Sequence, residues 1–156
     1  MTGAQAPDFD LPSLAGERRK LSELLASGPV LLAFFKVTCP TCQLTFPYLE
    51  RLHQGAPQLQ VVGVSQDGPD ATREFNRRNG VTFTTLLDPF ADVEVRYPAS
   101  NRYRITNVPT AFLVEPDGTV SKVIEGFHKA ELEQVAARFQ AAIFPAGDRA
   151  PVFRPG

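Results

Sequence analysis

The chain has 156 residues, a formal net charge of −1, 43% hydrophobic residues and 21% charged residues. That length and balance fit one globular domain with a core that needs no disulfide staples. The longest basic cluster, Arg18-Arg19-Lys20, reads as a solvated turn, so a nucleic-acid partner is not expected; no run approaches the ~20 apolar residues of a membrane span.

The opening Met1-Thr2-Gly3-Ala4-Gln5-Ala6-Pro7 lacks the basic and apolar regions of a signal peptide. A cytoplasmic location is expected, or an exported one if a signal has been removed. Asp8 to Leu25 reads as an N-terminal extension: a short extended piece, a turn at Gly16, and a helical turn at Ser22–Leu25. Val30 to Phe35 is an unbroken apolar run whose shortness favours a buried strand. A helix follows from Pro40 to His53, with Cys42, Phe46, Leu49 and His53 at helical spacing and Pro47 expected to kink its axis. Leu59 to Val64 gives a second buried strand, parallel to the first across a right-handed crossover.

Ser65 to Pro69 is a loop, and a polar helix spans Asp70 to Asn79 before Gly80. Thr84 to Leu87 is a strand candidate. Asp88 to Arg104 is expected to contain a helix broken near Pro98. Thr110 to Val114 and Thr119 to Glu125 are strands joined by the turn Glu115-Pro116-Asp117-Gly118, and so antiparallel. A closing helix over Lys129 to Phe144 buries Leu132, Val135, Ala136, Phe139 and Ile143. Residues 1–144 then form one α/β domain, a mixed sheet with helices on both faces. Residues 145–156 are expected to be an irregular tail.

Only two cysteines are present, Cys39 and Cys42, with Pro40 and Thr41 between them. They close too short a loop to staple the fold, so stabilisation explains them poorly. Cys39 falls between a buried strand and a helix, where unpaired N–H groups and the macrodipole favour negative charge. The thiolate is the nucleophilic form of cysteine, and Lys36 stands three residues earlier. Cys42 lies one turn on, at the head of the apolar stripe, within reach of Cys39. The pair divides into an exposed attacker and a sheltered resolver. A zinc site needs about four ligands, and only His53 and His128 remain, apart from each other, so no metal is expected. His53 reads as a half-buried packing residue, and His128 falls near the start of the last helix. Cys-x-x-Cys within a strand–helix–strand unit signals redox chemistry.

The chain resembles the thioredoxin superfamily, in particular the redoxin branch of TlpA- and ResA-like proteins and AhpC/TSA peroxiredoxins. The resemblance rests on Ala6-Pro7-Asp8-Phe9-Asp10-Leu11-Pro12, on the strand leading to Cys39-Pro40-Thr41-Cys42, on Pro47, on Val61-Val62-Gly63-Val64-Ser65, on Val108-Pro109-Thr110 and on Asp117-Gly118. It covers roughly residues 6 to 143. It implies a thioredoxin-like fold and a cis peptide before Pro109, packed against the cysteines. It also implies that the backbone at Val108 pairs with substrate, with Pro109 and Thr110 completing that segment. The chain departs from the family with Thr38 for a tryptophan, Ala33 for a buried aspartate and Thr45 for a glutamate. The acid that handles the proton of the buried thiol is therefore missing from both usual places.

The activity implied is thiol–disulfide exchange with protein or small-molecule disulfides, by a monomer without a cofactor, re-reduced by a thioredoxin-reductase-type system. One alternative is a thiol-dependent peroxidase, in which Cys39 would form a sulfenic acid resolved by Cys42. The peroxiredoxin pattern Pro-x-x-x-Thr-x-x-Cys does not fit, because Leu32 and Lys36 precede Cys39, and Phe35 and Cys39 precede Cys42, at the required positions. A second alternative is a binding module that functions without its cysteines. Ser65, Gln66 and Asp67 share the sheet edge with Cys39, where open α/β sheets often bind ligands, and the loop Tyr97–Asn101 borders the same edge.

Overall fold

The structure, a computed structural model, describes residues 1–88 and 96–156. The N-terminal extension forms a hairpin of β1 (Asp10–Pro12) and β2 (Arg18–Lys20), followed by the short helix α1 (Leu21–Leu25). Next come β3 (Val30–Phe35), α2 (Pro40–Gly55), β4 (Gln60–Ser65) and α3 (Pro69–Asn79). The chain continues with β5 (Thr85–Leu87), α4 (Pro98–Arg102), β6 (Thr110–Val114) and β7 (Val120–Glu125). It ends with β8 (Phe127–His128), α5 (Lys129–Arg138) and β9 (Phe153–Arg154).

Five strands form one mixed sheet in the order β5-β4-β3-β6-β7. β3 runs parallel to β4 and antiparallel to β6, so the strand leading to Cys39 lies at the centre. Every residue of β3 is buried, which requires cover on both faces of the sheet. Phe34 and Phe35 point to opposite faces. On one side Phe35 meets Phe46 of α2 at 4.3 Å and Phe75 of α3 at 4.8 Å. On the other, Phe34 meets Tyr103 at 5.1 Å and Phe112 at 5.7 Å. Ala33 pairs with Gly63 across β3 and β4. A Cβ on Gly63 would lie 3.2 Å from Phe35 and 3.3 Å from Phe83, so the small pair leaves room for the aromatic cluster.

Three expectations need correction. The closing helix stops at Arg138, because Gln140 takes a left-handed φ of 57°. Phe139 and Ile143 are buried as predicted, but from outside the helix. Pro98 opens α4 where a break was expected; at the first helical position its missing N–H costs nothing. The remainder of the Asp88–Arg104 reading falls partly outside the described residues. The segment after Pro145 is not wholly irregular, since β9 pairs antiparallel with β8, Phe127 facing Arg154 and His128 facing Phe153. No described helix is long and apolar enough to cross a membrane.

Candidate active site

Cys39 is the N-cap residue of α2, with extended backbone. Its half-buried sulfur accepts a hydrogen bond from the backbone N–H of Cys42 at 3.2 Å, one of the helix-start donors that lack an intrahelical partner. The thiol donates to the carbonyl of Val108 at 3.4 Å. Pro40 at the head of α2 suits this role, because it lacks only an N–H that would have stayed unpaired. The apolar stripe of α2 carries Cys42 fully into the core. Both cysteines are free thiols.

Burial pushes the Cys42 thiol far up from its ordinary range, opposed by the backbone N–H of Lys36. Cys39 and the Asp67 carboxylate act in the same direction as burial. Cys42 is therefore costly to ionise in its apolar surroundings, as its place on the buried face of the helix implies.

The Val108–Pro109 peptide is cis, as the resemblance implied. Val108, Pro109 and Thr110 are all buried. The Thr110 hydroxyl donates to the Asn107 carbonyl at 2.8 Å and braces the segment that turns the Val108 carbonyl towards Cys39. The cysteine motif and this segment, far apart in sequence, therefore meet. Lys36 is exposed, and His53 is half-buried with its ring 6.0 Å from that of Phe83. Among the described residues no three His, Cys, Asp or Glu side chains cluster so as to hold a metal ion.

Further residues join the site. The Asp67 carboxylate accepts the backbone N–H of Val37 at 2.8 Å, tying the loop after β4 to the approach to Cys39. Sheet topology placed Asp67 at the right edge but could not single it out. Gln66 donates to the hydroxyl of Ser100 at 2.9 Å, linking that loop to α4. Thr41, inside the motif, donates its hydroxyl to the carbonyl of Pro155 at 2.7 Å. No sequence signal pointed to Pro155.

Residues 2–123 match the model of the AhpC/TSA family. The chain belongs to the AhpC/TSA family. Among curated relatives, the thiol-disulfide oxidoreductase ResA of Bacillus subtilis (strain 168) is 32% identical over 127 residues, spanning 80% of this chain and 67% of ResA. Among solved structures, MTB dsbF is 27% identical, with a TM-score of 0.72 over 85% of this chain and 92% of that one. The thioredoxin domain of the Bacteroides vulgatus thiol-disulfide oxidoreductase BVU-2223 is 22% identical, with a TM-score of 0.77 over 89% and 97%, and speaks to the fold alone. This AhpC/TSA member has a thioredoxin-like fold and is a thiol–disulfide oxidoreductase of the ResA-like kind.

Proposed function

We propose that Cys39 is the attacking thiol and Cys42 the resolving thiol in the reduction of protein disulfides. One observation carries the assignment: Cys39 is half-exposed at a helix N-terminus, 3.2 Å from the Cys42 N–H, while Cys42 is wholly buried one turn on. The Cys39 thiolate attacks one sulfur of a substrate disulfide. That S–S bond breaks, a mixed disulfide forms, and one substrate thiolate leaves. The Cys42 thiol then loses its proton, and its sulfur attacks Cys39. The second substrate thiolate departs and the enzyme pair is left oxidised by two electrons. A dithiol reductant of the thioredoxin-reductase type returns those electrons. The Val108–Pro109–Thr110 segment holds the substrate backbone beside Cys39. The enzyme acts as a monomer in the cytoplasm; a neighbour in fold, a Mycobacterium tuberculosis disulfide oxidoreductase, is secreted, so cell fractionation tests the compartment.

The test is a pair of single substitutions assayed with insulin disulfide. Cys39→Ser abolishes turnover. Cys42→Ser allows the first attack only and accumulates a mixed disulfide visible by mass spectrometry under non-reducing conditions. Unchanged turnover in Cys39→Ser would overturn the assignment.

A further inference from the structure

The segment that follows α5 returns to the cysteines. Asp148 accepts the Tyr48 hydroxyl at 2.8 Å and pairs with Arg51 at 3.5 Å, fixing the segment to α2. The Lys129 N–H then donates to the Val152 carbonyl at 3.1 Å, and β9 lies along β8. The Phe153 ring packs on His128 with centroids 4.5 Å apart. Two residues further, the Pro155 carbonyl takes the Thr41 hydroxyl, from within the Cys39–Cys42 motif.

Gly156 sits against the Val108 carbonyl: a Cβ there would lie 2.1 Å from that oxygen, the same one that Cys39 faces at 3.4 Å. The approach depends on a second bare backbone. Gly126 has φ 73°, and a Cβ on it would lie 2.5 Å from the Arg154 carbonyl and 3.2 Å from Pro155 Cα. An extended peptide therefore already lies across the surface where a substrate chain must lie.

We propose that Val152–Gly156 is an intramolecular strap that covers Cys39 in the reduced enzyme and must be displaced by a protein substrate. The proposal rests on the exchange reading above for its consequence, but not for its geometry. The strap is held largely through its backbone. Val152 is 78% exposed and Phe153 50% exposed, so few apolar side-chain contacts resist its release. The covered surface takes extended polypeptide: its partners to the strap are a strand edge, a hydroxyl donor and a close backbone approach, none of which reads a particular side chain. An incoming chain competes for the same partners, which favours unfolded or loop disulfides over those held in rigid structure.

The test compares the full chain with a Phe153→Asp/Gly156→Val double variant and with Phe153→Asp alone. All these positions are exposed and outside the core, so folding is retained, and far-UV circular dichroism verifies it. The readout is the rate of Cys39 alkylation by iodoacetamide, located by mass spectrometry; this does not depend on turnover. Loss of the ring contact and crowding at Val108 raise the rate about tenfold in the double variant, with a smaller rise in the single one, because the open fraction grows. Equal alkylation rates in folded proteins overturn the strap, even if insulin disulfide is reduced by all of them. Faster alkylation with no insulin reduction in any of them supports the strap and overturns the exchange reading instead.

Discussion

At the scale of single residues, the open chemical question is where the Cys42 proton goes. The family's two usual acids are replaced here by Ala33 and Thr45. Ala33 pairs with Gly63 at the centre of the sheet, where a Cβ on Gly63 would already crowd Phe35, Phe46 and Phe83. Thr45 turns its hydroxyl back to the Thr41 carbonyl at 2.7 Å and is occupied there. Asp67 is the carboxylate whose charge Cys42 feels, and the Val37 N–H holds it in place. A carboxylate that opposes a thiolate nearby is also a base that can take the proton as the thiol attacks. We predict that Asp67→Asn slows resolution of the mixed disulfide about a hundredfold, the range of a positioned general base. Rapid-quench measurement of mixed-disulfide decay reads that step directly. Faster decay in Asp67→Asn would mean that Asp67 acts only through its field, since the lost charge eases Cys42 ionisation.

At the scale of elements, α4 shows how a very short helix is held. It has five residues, too few to be stable alone. Asp88, 1% exposed, accepts the N–H of Ala99 at 2.9 Å and both the N–H and the hydroxyl of Ser100 at 2.7 Å. Asp88→Ala leaves those donors unpaired and lowers stability by ~3 kcal/mol. Urea unfolding then shows a lower midpoint with an unchanged slope. Ser100 also accepts from Gln66, so the same change loosens the loop beside Cys39. Nothing in the sequence marks Asp88 as this cap, because it stands eleven residues before Ala99. The central strands were legible because β3, β4 and β6 are buried almost throughout and read as plain apolar runs. The cysteine motif was legible because a strand-to-helix junction fixes its chemistry. Phe139 and Ile143 continue the periodic spacing of α5 beyond its end, since periodic spacing reports burial and burial does not require helical backbone. β8 and β9 are not legible because a two-residue strand is too short to show a period, and the contact of Pro155 with Thr41 is a meeting of backbone and hydroxyl that no residue pattern announces.

At the scale of the whole molecule, several carboxylates join segments distant in sequence. Glu115, after β6, receives both Arg138 nitrogens at 2.7 Å from the end of α5, and also binds the Ser121 hydroxyl. The Arg138 guanidinium holds the Glu115 carboxyl below its ordinary 4.5, against some cost of burial, with Ser121 helping. Asp8 is partly desolvated, which works against its ionisation, yet hydrogen bonds from Ser22 and Phe9 outweigh this and hold it below 3.8. Asp148 is held low by the Ala150 N–H and then the Tyr48 hydroxyl, at the anchor of the strap. A carboxyl with a depressed folded value binds a proton less readily than in the unfolded chain. Its stabilisation is complete above the unfolded value and is lost as pH falls through the folded one. The expected melting temperature is therefore level from pH 7 to about 5 and falls steadily below about pH 4. Calorimetry at pH 7, 5, 4 and 3 measures it. At 1 M salt the exposed part of the Glu115–Arg138 and Arg51–Asp148 attractions is screened, so the difference between pH 5 and pH 3 shrinks but does not vanish, because Asp8 is held by Ser22 and Phe9 and Asp148 first by the Ala150 N–H and the Tyr48 hydroxyl, all neutral donors. A melting temperature that stayed level down to pH 3 would show that these links form equally in the unfolded chain and do not hold the fold together.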